Sequence, residues 1–476
     1  MSTQPNILLV MTDQQRWDSL GSHGFAAAHT PNLDRLAATG ARFDACYINN
    51  PICTPSRASL FTGKHLPDHG VQRLYDVLPE DEVLFTRHLQ ELGYTTALFG
   101  KLHVSAVDYE HYQRHPNDGF DIFESCMEPS LRMDAPLQAY AQWLQKNHPE
   151  FHARMVREKR GVLHHPQEVH MTRGAADRTI DFIENQPQDK PWFCHLSIFD
   201  PHNPYEDYPL EMEDLVDAKA IPDPLPPDEA VKSGPADLKR EHHHSYLGDF
   251  ENISLEQLRK IRYGYHASIA FADQEFGRVF DALERKGQAG NTLVIFTSDH
   301  GDMLGDHGLM VKGAFFYDAC TRVPLILNMP DTVPEGIVTS ALVQIHDLAA
   351  TVLRAAGMDP ERIKAIMPDS RDILPLACGK AQRVHTEAIC CYRNSGLSAE
   401  PRSSGNPYWD PEIHATMFRD ERYKLNLWHT GEEPGAPSGP ALRHAGRPPG
   451  GEGSLLGSGS RGAPLKTEQK YAALAG

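Results

Sequence analysis

Positive charge is scarce in this chain: 46 Lys and Arg stand against 64 Asp and Glu, a net charge of −18. That balance disfavours non-specific attraction to nucleic acid or to an anionic membrane, so an anionic ligand has to meet a local cluster of cations. Long hydrophobic runs are missing too. The longest, such as residues 7–11 and 293–296, fall far below the roughly 18 residues of a membrane-spanning helix, and no membrane segment is expected. No basic, apolar leader precedes the ILLVM run, so the mature chain is expected to start at its first strand. The eight cysteines, at 46, 53, 126, 194, 320, 378, 390 and 391, form no CxxC pair and no zinc-type Cys/His spacing. A disulfide framework is therefore not expected, and a cytoplasmic location, where thiols stay reduced, is.

What is present is enough apolar sequence for a large core: 40% of 476 residues are hydrophobic, too many for a disordered chain. Short apolar runs at 7–11, 95–100, 192–199, 293–298 and 323–328 alternate with helical patterns. Each run is nearly continuous, as in strands covered on both faces, which predicts an α/β fold around a buried, mostly parallel sheet. Thr30 with Pro31 reads as a helix start, residues 84–92 as a helix ending at Gly93, and 255–286 and 345–357 as further helices.

Two stretches interrupt the alternation, 104–147 and 206–250, and read as insertions over the ligand-binding face. The second contains His242, His243 and His244, whose consecutive side chains diverge on any regular backbone and read as surface histidines. Beyond 375 the pattern changes to short strands at 384–388, 415–419 and 423–428, an antiparallel unit. The expected division is a catalytic domain over 1–375, a C-terminal subdomain over 376–430 and an irregular tail over 431–476.

Chemistry-bearing residues gather at the ends of the strand-like runs. The first ends in Asp13 and Gln14, the fourth in Asp299 and His300, another in Lys101 and His103, and a Pro-flanked turn carries His202. A loop after Asp299 adds His307 and Lys312. Ligands of open α/β sheets bind beyond the carboxyl ends of strands, so these groups can converge. Two carboxylates, an imidazole and an amide oxygen suit Ca²⁺, Mg²⁺ or Mn²⁺. The segment Cys53-Thr54-Pro55-Ser56-Arg57 reads as the first turn of a helix, placing Cys53 at its amide-donating end and Arg57 one turn on, an anion site. Taken singly, each aspartate reads as a loop cap and each lysine as a solvated surface group. It is their common position at strand exits that favours a site.

Through PNILLVMTDQQRWDSLG, NPICTPSRASLFTG, LFGKLHV, DPHNPY, TSDHGDMLGDHGLMVKG and TRVPLIL, the sequence resembles the type I sulfatases of the alkaline phosphatase superfamily. The resemblance implies an alkaline phosphatase-like fold and oxidation of Cys53 to formylglycine by a formylglycine-generating enzyme. It also implies a metal held by Asp13, Gln14, Asp299, His300 and modified residue 53, Ca²⁺ first, with Mn²⁺ or Mg²⁺ as alternatives. In that scheme Arg57 and Lys101 hold the nucleophile and the ester oxygens, His202 and Lys312 supply the leaving-group proton, and His103 is the base that releases sulfate.

Two departures stand out. Many sulfatases have paired aspartates at the first strand end and Asp-Asn at the later one; here Gln14 and His300 take the second places, a ligand pattern that also resembles phosphonate monoester hydrolases. The tail, in turn, reads ALRHAGRPPG at 441–450 where relatives carry an LYDL-type segment, which a one-nucleotide shift of frame can restore with permissible codons; a frameshift near the end of the gene is the expectation, and codons incompatible with it would remove it. The expected activity is hydrolysis of small anionic sulfate esters. Phosphonate monoester or phosphodiester hydrolysis is the rival, and a non-catalytic anion-binding protein the remote one. Acidic enzymes of this size are often symmetric homo-oligomers.

Overall fold

The computed structural model describes residues 4–233, 252–393 and 412–429, with the backbone of short strands at 244–245, 248–249 and 437–445. Its central sheet has nine strands: β1 Asn6–Thr12, β2 Ala41–Tyr47, β3 Thr95–Gly100, β4 Ile122–Ser125, β5 Trp192–Ser197, β6 Thr292–Ser298, β7 Arg322–Asn328, β8 Ile337–Thr339 and β9 Val343–Gln344. The order is β8-β2-β7-β6-β1-β5-β3-β4, with β9 also paired to β2. Only β7 runs antiparallel to its neighbours, β2 and β6; the other pairings are parallel.

Alternation of side chains along a strand explains why the central runs are apolar throughout. Ile7, Leu9 and Met11 of β1 enter one core, shared with α2 (Cys53–Thr62) and a later helix over Asp347–Ala355. Leu8 and Val10 enter the other. That second core is covered by α1 (Pro31–Ala38), α3 (Met171–Asn185) and α4 (Leu255–Arg285). The expected α/β architecture is therefore present, with helices on both faces.

Several local expectations need correction. β2 was not anticipated, because Arg42 and Asp44 break its apolar pattern, and β4 lies inside the stretch read as irregular, pairing in parallel with β3. Thr30 makes no side-chain capping bond to α1. Instead Asp273 of α4 accepts the N–H groups of Asn32 (3.0 Å) and Leu33 (2.8 Å), a cap supplied from a distant helix. The first C-terminal strand is β10 at Ala388–Arg393, not 384–388, because His385 is drawn to Asp347 (2.9 Å). It continues antiparallel to β11 (His414–Arg419) and β12 (Tyr423–His429). A strand at Pro437–Ala445 pairs with β12, within the segment read as irregular. His242 and His243, the side chain of His244 and residues 446–476 lie outside the described residues.

Candidate active site

The carboxyl ends of β1, β3, β5 and β6 share one edge of the sheet, and the N-terminus of α2 is fastened to it by Ser56 Oγ donating to Asp299 O (2.6 Å). β3 reaches this edge through Gly100, whose φ is +110° and where an added Cβ would stand 1.8 Å from Ser197 O. Glycine is required there for chain direction and for space.

Arg57, fully buried, is the centre of the cluster. Its Nε donates to Asp299 Oδ2 (2.7 Å), Nη2 to Asp13 Oδ2 (3.3 Å), and Nη1 to Lys101 O (2.9 Å) and Ser197 Oγ (3.0 Å). Lys101 Nζ reaches the same Asp13 Oδ2 at 2.5 Å. Asp13 Oδ1 is thus left buried without a hydrogen-bond partner among the described residues. His300 donates from Nδ1 to Gly301 O (2.9 Å), so its Nε2 lone pair is turned inward, 3.6 Å from both Asp13 Oδ1 and Asp299 Oδ1. One ligand atom from each of Asp13, Asp299 and His300 lies within 4.8 Å of the others. An orphaned carboxylate oxygen, a second carboxylate and an imidazole of fixed tautomer fit a divalent cation.

Lys312 closes the cluster on the side of Cys53. Its Nζ donates to Gln14 Oε1 (2.9 Å), His300 Nε2 (3.0 Å) and His202 Nε2 (3.1 Å), and lies 4.0 Å from Cys53 Sγ. His202 donates its Nδ1 proton to Asn203 O (2.8 Å). Burial raises the Cys53 thiol, but Lys312, Lys101 and a hydrogen bond with His300 bring it down to about 7. Burial also opposes ionisation of Asp13, yet Lys101, His202, Arg57 and Lys312 hold it well below the usual carboxylate range. Burial, reinforced by Lys101 and Arg57, pushes His103 far down; burial and Lys312 do the same to His202. Both rings are neutral bases at neutral pH.

All ten residues singled out for metal or catalysis lie at this end of the sheet, though His103 sits against α2, donating Nε2–H to Thr54 Oγ1 (2.9 Å). His307 does not join them: it stacks on Tyr317, centroids 4.3 Å apart. Sequence reasoning missed Asp302, which accepts from Gln14 Nε2 (2.6 Å) and Tyr205 OH (2.7 Å) and so orients the Gln14 amide. Its signal was its place two residues beyond His300. Glu110 was also missed. It holds the N–H groups of His103 (2.8 Å) and Ser105 (2.7 Å), from a segment whose local pattern gave no sign of it.

The profile of the family described as Sulfatase matches residues 5–358. The chain belongs to the sulfatase family. The enzyme is 29% identical to an arylsulfatase of Clostridium perfringens over 380 residues, covering 76% of this chain and 77% of that one. It is also 29% identical over 469 residues to PehA of Trinickia caryophylli, a multifunctional alkaline phosphatase superfamily protein, covering 89% and 87% of the two chains. In fold it resembles the phosphonate monoester hydrolase of Agrobacterium radiobacter, with a TM-score of 0.74 at 23% identity over 90% of this chain and 89% of that one. The family and fold expected from the motifs are borne out, and the enzyme is a hydrolase of sulfuric esters by family.

Proposed function

We propose that this enzyme hydrolyses sulfate monoesters at Cys53, converted to formylglycine by a generating enzyme, with one divalent cation held by Asp13, Gln14, Asp299, His300 and residue 53. The observation that carries this reading is the ring of three buried cations, Arg57, Lys101 and Lys312, around two aspartates and the Cys53 side chain. It supplies local attraction for an anion in an acidic protein. The modified side chain supplies a geminal diol, one hydroxyl to attack sulfur and a second whose deprotonation expels sulfate. The cation, when bound, polarises the non-bridging ester oxygens; Ca²⁺ is the first candidate and Mn²⁺ or Mg²⁺ the alternatives.

The chain's own groups divide the remaining work. Arg57 presents fixed N–H donors and needs no reorganisation as charge develops. Lys101 keeps Asp13 ionised and orients it. Lys312 and His202, 3.1 Å apart, hold the proton for the departing alcohol oxygen. His103 has Nδ1 unpartnered among the described residues and accepts the proton of the second hydroxyl there. Eight free thiols support a cytoplasmic location. Among the described residues no helix is long and apolar enough to cross a membrane.

The ligand pair Gln14 and His300 favours one second reading, hydrolysis of phosphonate monoesters at the same site, because Gln14 in place of an aspartate leaves the centre less negative toward a phosphoryl group. Parallel assays of an aryl sulfate and the matched aryl phosphonate monoester decide. A higher kcat/KM for the sulfate is expected, and the reverse order would transfer the assignment to phosphorus. Peptide mass spectrometry checks residue 53, since a protein that turns over with Cys53 unmodified would contradict the nucleophile.

A further inference from the structure

Away from the catalytic cluster, the turn that carries His202 closes over a second group of buried titratable side chains. His165 lies ahead of α3, His170 caps that helix by accepting the Thr172 N–H through Nδ1 (3.2 Å), and Asp207 follows His202 by five residues. Backbone bonds lace the two segments together, from His164 N to Glu206 O (2.8 Å) and from His165 N to Asp207 O (2.9 Å). One ligand atom from each of His165, His170 and Asp207 lies within 4.8 Å of the others, and all three residues are at least nine-tenths buried. Asp200, also buried, places Oδ2 3.8 Å from His170 Nδ1 and accepts a bond from the Thr172 hydroxyl.

Two atoms of this group are orphaned: His170 Nε2 and Asp207 Oδ1 are buried with no hydrogen-bond partner among the described residues. Native interiors leave few such atoms, and those that persist commonly mark a bound water or ion. A comparable trio, His346, Asp347 and His385, shows the contrast. There Asp347 accepts from Gln344 N (2.8 Å), Arg371 N (2.9 Å) and His385 Nε2 (2.9 Å), and His346 uses one nitrogen with Asn49 (3.0 Å) and the other with Asp369 O (3.2 Å). That trio is a satisfied hydrogen-bond network and calls for no ion.

We propose that His165, His170 and Asp207 form a second, structural metal site for a Zn²⁺-type cation, which pins the chain on either side of His202. Two imidazoles and one carboxylate suit Zn²⁺, unlike the oxygen-rich catalytic cluster. Ligation through His170 Nε2 puts the ring proton on Nδ1, facing Asp200 Oδ2, the carboxylate–histidine–metal arrangement that fixes a ligand's tautomer. The Thr172 N–H gives up its bond to the ring in that state. Because Asp200, which faces His170, and Asp207 flank the turn, an ion here would hold His202 against Lys312 without touching substrate.

The test is metal stoichiometry. Stripped full-length protein is dialysed against Zn²⁺, then against a weak competing chelator, and the retained zinc is counted by mass spectrometry. Asp207→Asn and His165→Gln are each expected to hold one equivalent fewer than wild type, and their zinc-dependent gain in melting temperature should shrink. Asp299→Asn, aimed at the catalytic cluster, should keep that gain. An unchanged count in both Asp207→Asn and His165→Gln would overturn the proposal. Should both variants fail to fold, Asp299→Asn loaded with Co²⁺ decides, because its catalytic cluster is disabled: the visible absorption of a tetrahedral nitrogen-containing site is expected, and its absence counts against the site. Neither outcome depends on which ester the enzyme cleaves.

Discussion

His103 donates its Nε2 proton to Thr54 Oγ1 at 2.9 Å, one residue along from Cys53. Thr54 sends its own hydroxyl proton to Leu74 O (3.0 Å), so it can only accept from the ring, and the free lone pair of His103 is Nδ1. Glu110 locks the loop by taking the His103 N–H. If Nδ1 is the base of the release step, His103→Ala should lower kcat by about 10²–10⁴-fold while attack on the ester survives. Mass spectrometry after mixing with substrate should find the peptide carrying residue 53 heavier by a sulfo group. A slowed variant with no such adduct would assign His103 to the first step instead. Thr54→Val, which removes the acceptor, should give a smaller loss in the same step.

Removing Arg57 should cost stability as well as rate. The guanidinium separates two fully buried carboxylates, Asp13 and Asp299, and truncating one partner of such a network leaves charge uncompensated, at about 3–5 kcal/mol. Arg57→Ala should therefore unfold at markedly lower urea concentration. Arg57→Lys keeps the charge but not the planar fork that also meets Ser197 and Lys101 O, so it should recover part of the stability and little of the activity. Equal stability of Arg57→Ala and wild type would show that the aspartates are held by other means.

Asp273 gives the fold a pH dependence remote from catalysis. Burial raises its carboxyl from 3.8 to about 6, against the pull of the Leu33 and Asn32 N–H groups. A folded-state value above the unfolded one favours the protonated form on folding, so this contribution is present at low pH and lost as pH rises through about 6. Between pH 4.5 and 7.5 wild type should lose about 2 kcal/mol relative to Asp273→Asn. Parallel denaturation curves with a pH-independent gap would contradict the assignment.

Gly264→Ala should be destabilising although it lies within α4. In an exposed helix interior the change gains roughly 1 kcal/mol. Here the new Cβ would stand 1.8 Å from Tyr205 O, a backbone atom that cannot swing away, and overpacking of this kind costs about 1–3 kcal/mol. Because Tyr205 OH helps Asp302 hold Gln14, metal affinity should fall with stability. Denaturation and metal titration of the same variant check both.

The groups that could be read in advance were those whose spacing is local. Cys53 and Arg57 share one helical turn, and Asp13, Lys101 and Asp299 end apolar strands, so period and position sufficed. Glu110 and Asp273 were invisible because their partners are set by the packing of distant segments: a loop bond to His103 in one case, the first turn of α1 in the other. β4 was hidden for a related reason. Its four residues, Ile122–Ser125, are too few to show alternation, and only the neighbouring β3 gives them a register. Gln14 was legible as a ligand candidate, but not the Asp302 that turns its amide.

Arg57, Lys101 and Lys312 are each less than 5% exposed inside a chain of net charge −18. A sulfated substrate on its approach meets a like-signed outer field first and the attractive groups only on entry. Capture should therefore quicken as ionic strength rises, the opposite of an electrostatically steered enzyme, because dissolved salt screens the outer repulsion over about 10 Å while leaving the sealed interior almost untouched.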